Sequence, residues 1–204
     1  AGPTKELIDP VRFISNESSG KQGYAIAETL QSLGAKTTLV SGPTSLAEPN
    51  VEQVIKVDSA DQMLEACESS LPADIAVCAA AVADYKIANK EIAKIKKDGS
   101  RQNMILEENP DILERLSKRN HLRPKLVVGF AAETSNLERN SNEKLNKKGC
   151  DWVLGNNVSE NSIFNQDTNK IYFTSKLYSE NWELMTKKEV AKKLCQKISL
   201  HLNN

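Results

Sequence analysis

The chain has 204 residues, and its 27 basic and 27 acidic side chains cancel to a formal net charge of zero. That length suits one α/β domain over residues 1–204, and the balance excludes an overall field that would draw the protein onto nucleic acid or an anionic membrane. An anionic ligand must therefore meet a local patch. The longest apolar run, Ile75 to Ala83, is too short to cross a bilayer, and Ala1-Gly2-Pro3-Thr4 is neither basic nor apolar in the manner of a signal peptide, so a cytoplasmic protein is expected.

The opening is not methionine and reads as a turn, which suggests a piece of a longer polypeptide whose first strand is partly missing. The turn Ser18 to Gly23 precedes a helical pattern through Ala25, Ile26, Ala27, Leu30 and Leu33, with Gly34 placed to end it. Thr37 to Ser41 and Gln53 to Val57 read as buried strands, and Ser59 with Gln62 fits a capping box for the next helix. Ile75 to Ala79 is a further strand, followed by a polar, lysine-rich stretch from Asp84 to Arg101. Asn109-Pro110 reads as a cap with proline in the first turn, Leu126 to Phe130 as a strand, and Gly149 as a helix end before the strand Trp152 to Leu154. Lys170 to Thr174, within Asn161 to Tyr178, looks like a hairpin strand. Thr186 with Glu189 forms a second capping box, and Val190, Leu194, Ile198 and Leu202 make one apolar stripe on the last helix. This alternation predicts a mostly parallel sheet with crossover helices, from which the Asp84–Arg101 and Asn161–Tyr178 stretches project.

Ser18-Ser19-Gly20-Lys21-Gln22-Gly23 puts glycines, hydroxyls and backbone N–H groups at a helix N-terminus, a plausible phosphate cradle. It is not a Walker A loop, because Gln22 follows Gly20-Lys21 where Ser or Thr is needed, and it is not GxGxxG. No acid ends the second strand for a ribose, since Thr38-Leu39-Val40 runs into Ser41-Gly42-Pro43. Cys78-Ala79-Ala80-Ala81 ends a strand in small residues and leads to Asp84, at the edge where open α/β sheets bind ligands. By itself this is tight packing plus a capping aspartate. Lys94-Ile95-Lys96-Lys97 is equally a solvated charge run or a flap able to close over a polyphosphate. Phe130 and Asn156 end two further strands at the same edge, while Lys144 and Lys148, four apart on a helix, would by default be solvated. The scattered Cys67, Cys78, Cys150 and Cys195 suggest reduced thiols, and His121 and His201 have no catalytic neighbour in sequence.

Ala1 to Thr4, Ile8-Asp9-Pro10-Val11-Arg12-Phe13-Ile14-Ser15-Asn16 and the Ser-Ser-Gly-Lys-x-Gly turn resemble bacterial phosphopantothenoylcysteine synthetases, and Ala80 to Tyr85, Lys94 to Lys97, Asn109 to Leu113, Gly129 to Thr134 and Asp151 to Val158 agree in order and spacing. The resemblance implies a Rossmann-like fold and a homodimer. It implies a ligase that joins 4'-phosphopantothenate to cysteine at the expense of CTP with Mg2+, through an acyl-cytidylate. It also implies fusion to, or excision from, a flavin-dependent decarboxylase half, with no flavin site in these residues. Carried over by position, Asn16 would hold the substrate carboxylate and acyl group, and Lys94 would assist at the phosphates. Ser18, Gly20 and Gly23 would line the triphosphate; Cys78, Ala79, Ala80, Asp84, Pro110, Asp111, Ile112, Leu113, Phe130, Lys144, Lys148 and Asn156 would complete the CTP site. Ala80, Ala81 and Asp84 would join Asn16 at phosphopantothenate. The rival reading from residues alone is an NADP-dependent reductase using Ser41 for the 2'-phosphate; a second rival is a binding module without turnover.

Overall fold

A computed structural model describes residues 1–97, 99, 103–158 and 167–202. Asp98, Ser100 and Arg101 of the lysine-rich stretch, and residues 161–166 of the later one, lie outside the described residues. In chain order the elements are β1 (Lys5–Asp9), β2 (Arg12–Ser15), α1 (Lys21–Ser32), β3 (Thr38–Ser41), β4 (Gln53–Lys56), α2 (Ala60–Ser69), β5 (Ile75–Cys78), β6 (Tyr85–Ile87), β7 (Leu106–Glu108), α3 (Ile112–Ser117), β8 (Leu126–Glu133), α4 (Leu137–Lys148), β9 (Trp152–Asn157), β10 (Thr168–Ser175), β11 (Ser179–Thr186) and α5 (Lys187–Leu202).

The main sheet runs β11-β10-β9-β8-β5. β5, β8 and β9 are parallel, and β10 is antiparallel to both β9 and β11. Parallel strands need covered faces, and consecutive Leu126, Val127 and Val128 in β8 are all fully buried. One face packs on α1 and α5, whose Val190, Leu194 and Ile198 meet Phe173 and Trp182, rings stacked at 5.9 Å. The other face carries α3 and α4, with Leu113, Leu145 and Cys150 in contact with Val127 and Val153. β3 and β4 form a separate parallel pair.

Local chemistry explains the boundaries. Ser59 and Gln62 exchange side-chain and backbone bonds to open α2, and Thr186 and Glu189 do the same for α5. Gly149 closes α4 in the left-handed conformation.

Four details differ from the sequence reading. The cap of α3 is Asp111, which accepts from Glu114 N–H at 2.8 Å, two residues after the expected Asn109; Asn109 instead donates to the Ala83 and Asp84 carbonyls. The Lys170–Thr174 strand does not project: it is the middle of β10 inside the main sheet, because Ile171 and Phe173 bury fully against α5. Leu202 ends the α5 stripe but is exposed beyond the edge of the core. β1, β2, β6 and β7 are short, half-exposed hairpin strands whose periodicity was too brief to be legible.

Phe173→Ala should lower stability by about 3–5 kcal/mol, since the ring is packed on both sides and the site cannot collapse. Urea unfolding monitored by far-UV circular dichroism would show it as a lower midpoint with an unchanged slope.

Candidate active site

A cleft of about 1930 Å³ opens at the C-terminal ends of β5, β8 and β9. Every residue assigned from the sequence to a ligand lines it except Lys94. The convergence follows from the sheet: parallel strands end at one edge, so loops distant in sequence meet there.

One wall is the Ala80–Asp84 loop, held at nearly every peptide. Ala81 N–H donates to Gly2 C=O at 2.9 Å, Ala83 N–H donates to the buried Thr4 Oγ1 at 3.0 Å, and Ala83 C=O accepts from Asn109 Nδ2 at 2.8 Å. Asn109 N–H also donates to Asp84 C=O at 2.8 Å. Asn16, exposed beside this wall, donates from Nδ2 to Val82 C=O at 2.9 Å, which leaves its amide oxygen facing away from the bond. Thr4 and Asn109 brace this wall by hydrogen bonds, although the sequence reading assigned neither of them to a ligand. A single buried threonine after Ala1-Gly2-Pro3 gives no periodic signal, and Asn-Pro reads as a cap wherever it occurs.

The floor is the N-terminus of α1. Gly20 takes φ 75°, a conformation that favours glycine, and the helix has no side-chain cap. Gly20 N–H and Lys21 N–H reach only the Ser18 and Ser19 hydroxyls, at 3.3 and 3.5 Å, long bonds that a stronger acceptor would replace.

The opposite wall is α4. A Cβ at Gly155 would stand 2.2 Å from Ser141 Oγ, so only glycine lets α4 seat directly on β9 and turn Lys144 and Lys148 inward. Lys144 Nζ donates to Phe130 C=O at 2.7 Å, and Lys148 Nζ lies 2.5 Å from Asp111 and 3.7 Å from Glu114. The default of a solvated pair is thus replaced by two part-buried, engaged ammonium groups. Burial pushes the Asp111 carboxyl up, but the Lys148 hydrogen bond and the Glu114 N–H outweigh it and hold the carboxyl below its ordinary value. The hydrogen bond that Lys148 donates to Asp111 raises the Lys148 pKa in turn, so both partners stay charged at neutral pH. Lys147, Lys21 and Lys187 also border the cleft, alongside the carboxylates of Glu17, Asp84, Glu108, Asp111 and Glu114, so charges of both signs line it. Only the spatial arrangement reveals Lys187, which lies 166 positions from Lys21 in sequence yet, with Asp167, shares its charge environment.

Lys94 lies on a segment fastened to β1 and β2. Ile95 N–H donates to Asp9 Oδ2 at 3.2 Å, and Ile95 C=O accepts from Arg12 Nη2 at 2.8 Å. The same Arg12 guanidinium forms a close ion pair with Asp9. Thus the Ile8–Ser15 motif and the lysine flap, far apart in sequence, are one assembly.

Other candidates close off. Ser41 is buried, bonded to Gly42 C=O at 2.9 Å and to Tyr24 OH at 3.2 Å, so it has no room to take a 2'-phosphate. Burial pushes the Cys78 thiol up to about 12, which leaves it uncharged and non-nucleophilic. All four cysteines are free thiols, and His201 rests edge-on against Trp152.

Hydrogen bonding by Arg12 lowers the Asp9 carboxyl well below the usual carboxylate range, burial opposes this, and the Val11 and Ile95 N–H groups add to the lowering. The unfolded chain therefore takes up the proton first. The stabilisation is complete above about pH 5 and is lost as pH falls further. Urea midpoints measured from pH 7 downward should fall more steeply for the parent chain than for Asp9→Asn; parallel curves would contradict the pairing.

The chain matches the family model described as DNA/pantothenate metabolism flavoprotein C-terminal domain over residues 1–201. It is 42% identical over 199 residues to the coenzyme A biosynthesis bifunctional protein CoaBC of Haemophilus influenzae, covering 97% of this chain and 50% of that protein. Its identity to the Bacillus subtilis protein of the same name is 39% over 203 residues, covering 98% of this chain and 50% of that one. The chain thus spans about half the length of the curated relatives it matches. Among solved structures, the crystal structure of the C-terminal domain of a CoaBC bifunctional protein superposes with a TM-score of 0.80 at 36% identity, covering 100% of this chain and 93% of that one. A lysine-bearing cleft at the C-terminal edge of a parallel sheet, one near-complete family match and that superposition agree: the chain belongs to the DNA/pantothenate metabolism flavoprotein C-terminal domain family.

Proposed function

We propose that the cleft catalyses the condensation of 4'-phosphopantothenate with cysteine, driven by CTP, as a step in coenzyme A synthesis. The observation that carries this reading is the meeting, in one cleft, of an uncapped helix N-terminus, the inward Lys144 and Lys148 pair and the Asn16 amide, in a chain related to CoaBC proteins.

The chemistry divides the cleft. A carboxylate is a poor electrophile, so its oxygen first attacks the α-phosphate of CTP, pyrophosphate leaves, and an acyl-cytidylate forms. The cysteine amine then attacks the acyl carbon, loses a proton to solvent, and CMP leaves with the former carboxylate oxygen. The α1 N-terminus, with Ser18, Gly20 and Gly23, cradles phosphate oxygens. Lys148 exchanges its Asp111 bond for one to a phosphate, and Lys144, fixed by the Phe130 carbonyl, adds charge nearby. Asn16 donates to the reacting carboxyl, a neutral group suited to an oxygen whose charge changes. The Ala80–Asp84 loop, small and rigidly bonded, lets the pantothenate portion lie against backbone. Holding both reactants in place removes much of the entropic barrier.

No group of three His, Cys, Asp or Glu side chains that could hold a metal occurs among the described residues. Mg2+ would arrive with the nucleotide, and Asp84 is one of the cleft carboxylates that could help hold it. The ion would neutralise charge on the departing pyrophosphate.

A homodimer belongs to the same reading. The β1–β2 and β6–β7 hairpins lie side by side and expose Leu7, Val11, Phe13, Tyr85 and Leu106, an apolar surface suited to a second copy. Phe13→Glu should convert dimer to monomer in sedimentation velocity; an unchanged distribution would move the interface elsewhere.

With CTP, Mg2+ and 4'-phosphopantothenate, the protein should release pyrophosphate, and cysteine should stimulate that release. Lys94→Gln, which removes the flap's charge at the phosphates, should slow it by roughly 100- to 1000-fold. Absence of release from folded protein with CTP and with ATP would overturn the ligase reading.

A further inference from the structure

Two helix N-termini meet at the border of the cleft. α1 and α5, 12 and 16 residues long, both begin with a lysine, Lys21 and Lys187, and both lysines line the cleft. Gln22 of α1 ties the two helices together, its Nε2 donating to Lys187 C=O at 3.0 Å. Its Oε1 accepts from Asn169 Nδ2 of β10 at 3.1 Å, and Lys187 N–H donates to Asp167 C=O at 2.7 Å. The start of α5 is thus fastened to α1 on one side and to the approach of β10 on the other.

For the protein alone, the charge on Lys187 is badly placed. A cation at a helix N-terminus opposes the dipole, which carries about half a positive charge there. Burial lowers the Lys187 pKa, the neighbouring Lys21 ammonium lowers it further, and Asp167 opposes both. The Asp167 carboxylate is itself engaged, since Lys21 Nζ lies 2.7 Å from its Oδ1. Among the described residues no hydrogen-bond acceptor or ion-pair partner touches the Lys187 ammonium, although the residue is part-buried. An anion completes such an arrangement.

A second observation is independent of these charges. Asn169 is 6% exposed, lines the cleft, and its Oδ1 is buried without a partner. Turning the amide does not remove the deficit. Lys187 C=O can only accept, so Gln22 presents Nε2 to it and Oε1 to Asn169, and Asn169 must answer with Nδ2. Its Oδ1 is left needing a donor. A ligand that brings negative charge for Lys187 and a hydroxyl or a held water for Asn169 meets both needs, and the end of a phosphate chain or a phosphate monoester has this chemistry.

We propose that Lys187, Lys21 and the Gln22–Asn169 amide pair form a subsite for a terminal phosphate group, adjoining the Ser18–Gly23 cradle. Lys187 pairs with the phosphate oxygens, and Lys21 adds its charge while it stays with Asp167. Asn169 Oδ1 accepts from a phosphate hydroxyl or from a water that the phosphate holds. Gln22 is a positioning residue, since it sets both the Lys187 backbone and the orientation of the Asn169 amide. Two reactants of a ligase cleft carry such an end, CTP at its γ-phosphate and phosphopantothenate at its 4'-phosphate; assigning the subsite to either rests on the function proposed above.

The test is calorimetric titration of the parent protein, Lys187→Gln, Lys187→Arg and, as a charge control, Lys192→Gln, which alters an exposed lysine of the same helix outside the cleft. Inorganic pyrophosphate, CTP, CMP, 4'-phosphopantothenate and pantothenate are each titrated, without turnover. Lys187→Gln should weaken pyrophosphate about tenfold, Lys187→Arg should restore most of the loss, and Lys192→Gln should change nothing. An equal loss for CTP but not CMP assigns the subsite to the nucleotide; a loss for phosphopantothenate but not pantothenate assigns it to the 4'-phosphate. The ligand-free thermal midpoint of Lys187→Gln should equal or exceed that of the parent, because the variant removes a cation from a helix N-terminus. Affinities for pyrophosphate, CTP and phosphopantothenate that do not depend on Lys187 would overturn the proposal. So would a lowered midpoint with the same loss for CMP and pantothenate, the behaviour of a purely structural lysine. Binding that depends on Lys187 in a protein that releases no pyrophosphate would sink the ligase reading alone, and the reverse result would remove the subsite alone.

Discussion

The site depends on one buried hydroxyl. Thr4 is fully buried; its Oγ1 accepts from Ala83 N–H and its carbonyl accepts from Ser15 Oγ at 2.6 Å. These two bonds tie the start of the chain to the ligand-lining loop and to the segment that carries Asn16. Because the groups are buried, leaving either without a partner costs about 1–3 kcal/mol, which makes the arrangement specific rather than merely favourable. Gly2 and Asn109 secure the same loop from either side, so the wall of the cleft is rigid while its contents are free to differ.

Rigidity on that wall is set against adjustable charge on the other. Lys148 is paired with Asp111 and Glu114, and Lys144 with a carbonyl, so their ammonium groups are held in place before any anion arrives. Pre-positioning limits the reorganisation that binding requires. Ion pairs such as Arg139 with Glu143 and Lys118 with Glu114 lie on the exposed helix faces.

The flap is organised differently again. Its backbone at Ile95 is gripped by Asp9 and Arg12, whereas the side chain of Lys94 is exposed and lies outside the cleft.

The sequence by itself determined the strands β3, β4, β5, β8 and β9, because short apolar and β-branched runs bounded by turn residues mark strands; of these β8 and β9 are buried on both faces, whereas β4, read as a buried strand, is half-exposed beside β3 at the margin of the sheet. It also determined both capping boxes, whose partners are three residues apart. It marked the cleft residues through motifs whose order is local to each loop. The tertiary structure alone decided that Asp111 rather than Asn109 caps α3, that β10 enters the main sheet, and that Thr4, Asn109, Arg12 and Lys187 belong to the site's surroundings. The physical reason is the same in each case. Caps and buried runs are stabilised by neighbours a few residues away, whereas these residues act through hydrogen bonds and charges that span dozens of positions and exist only once the sheet has brought its strand ends together.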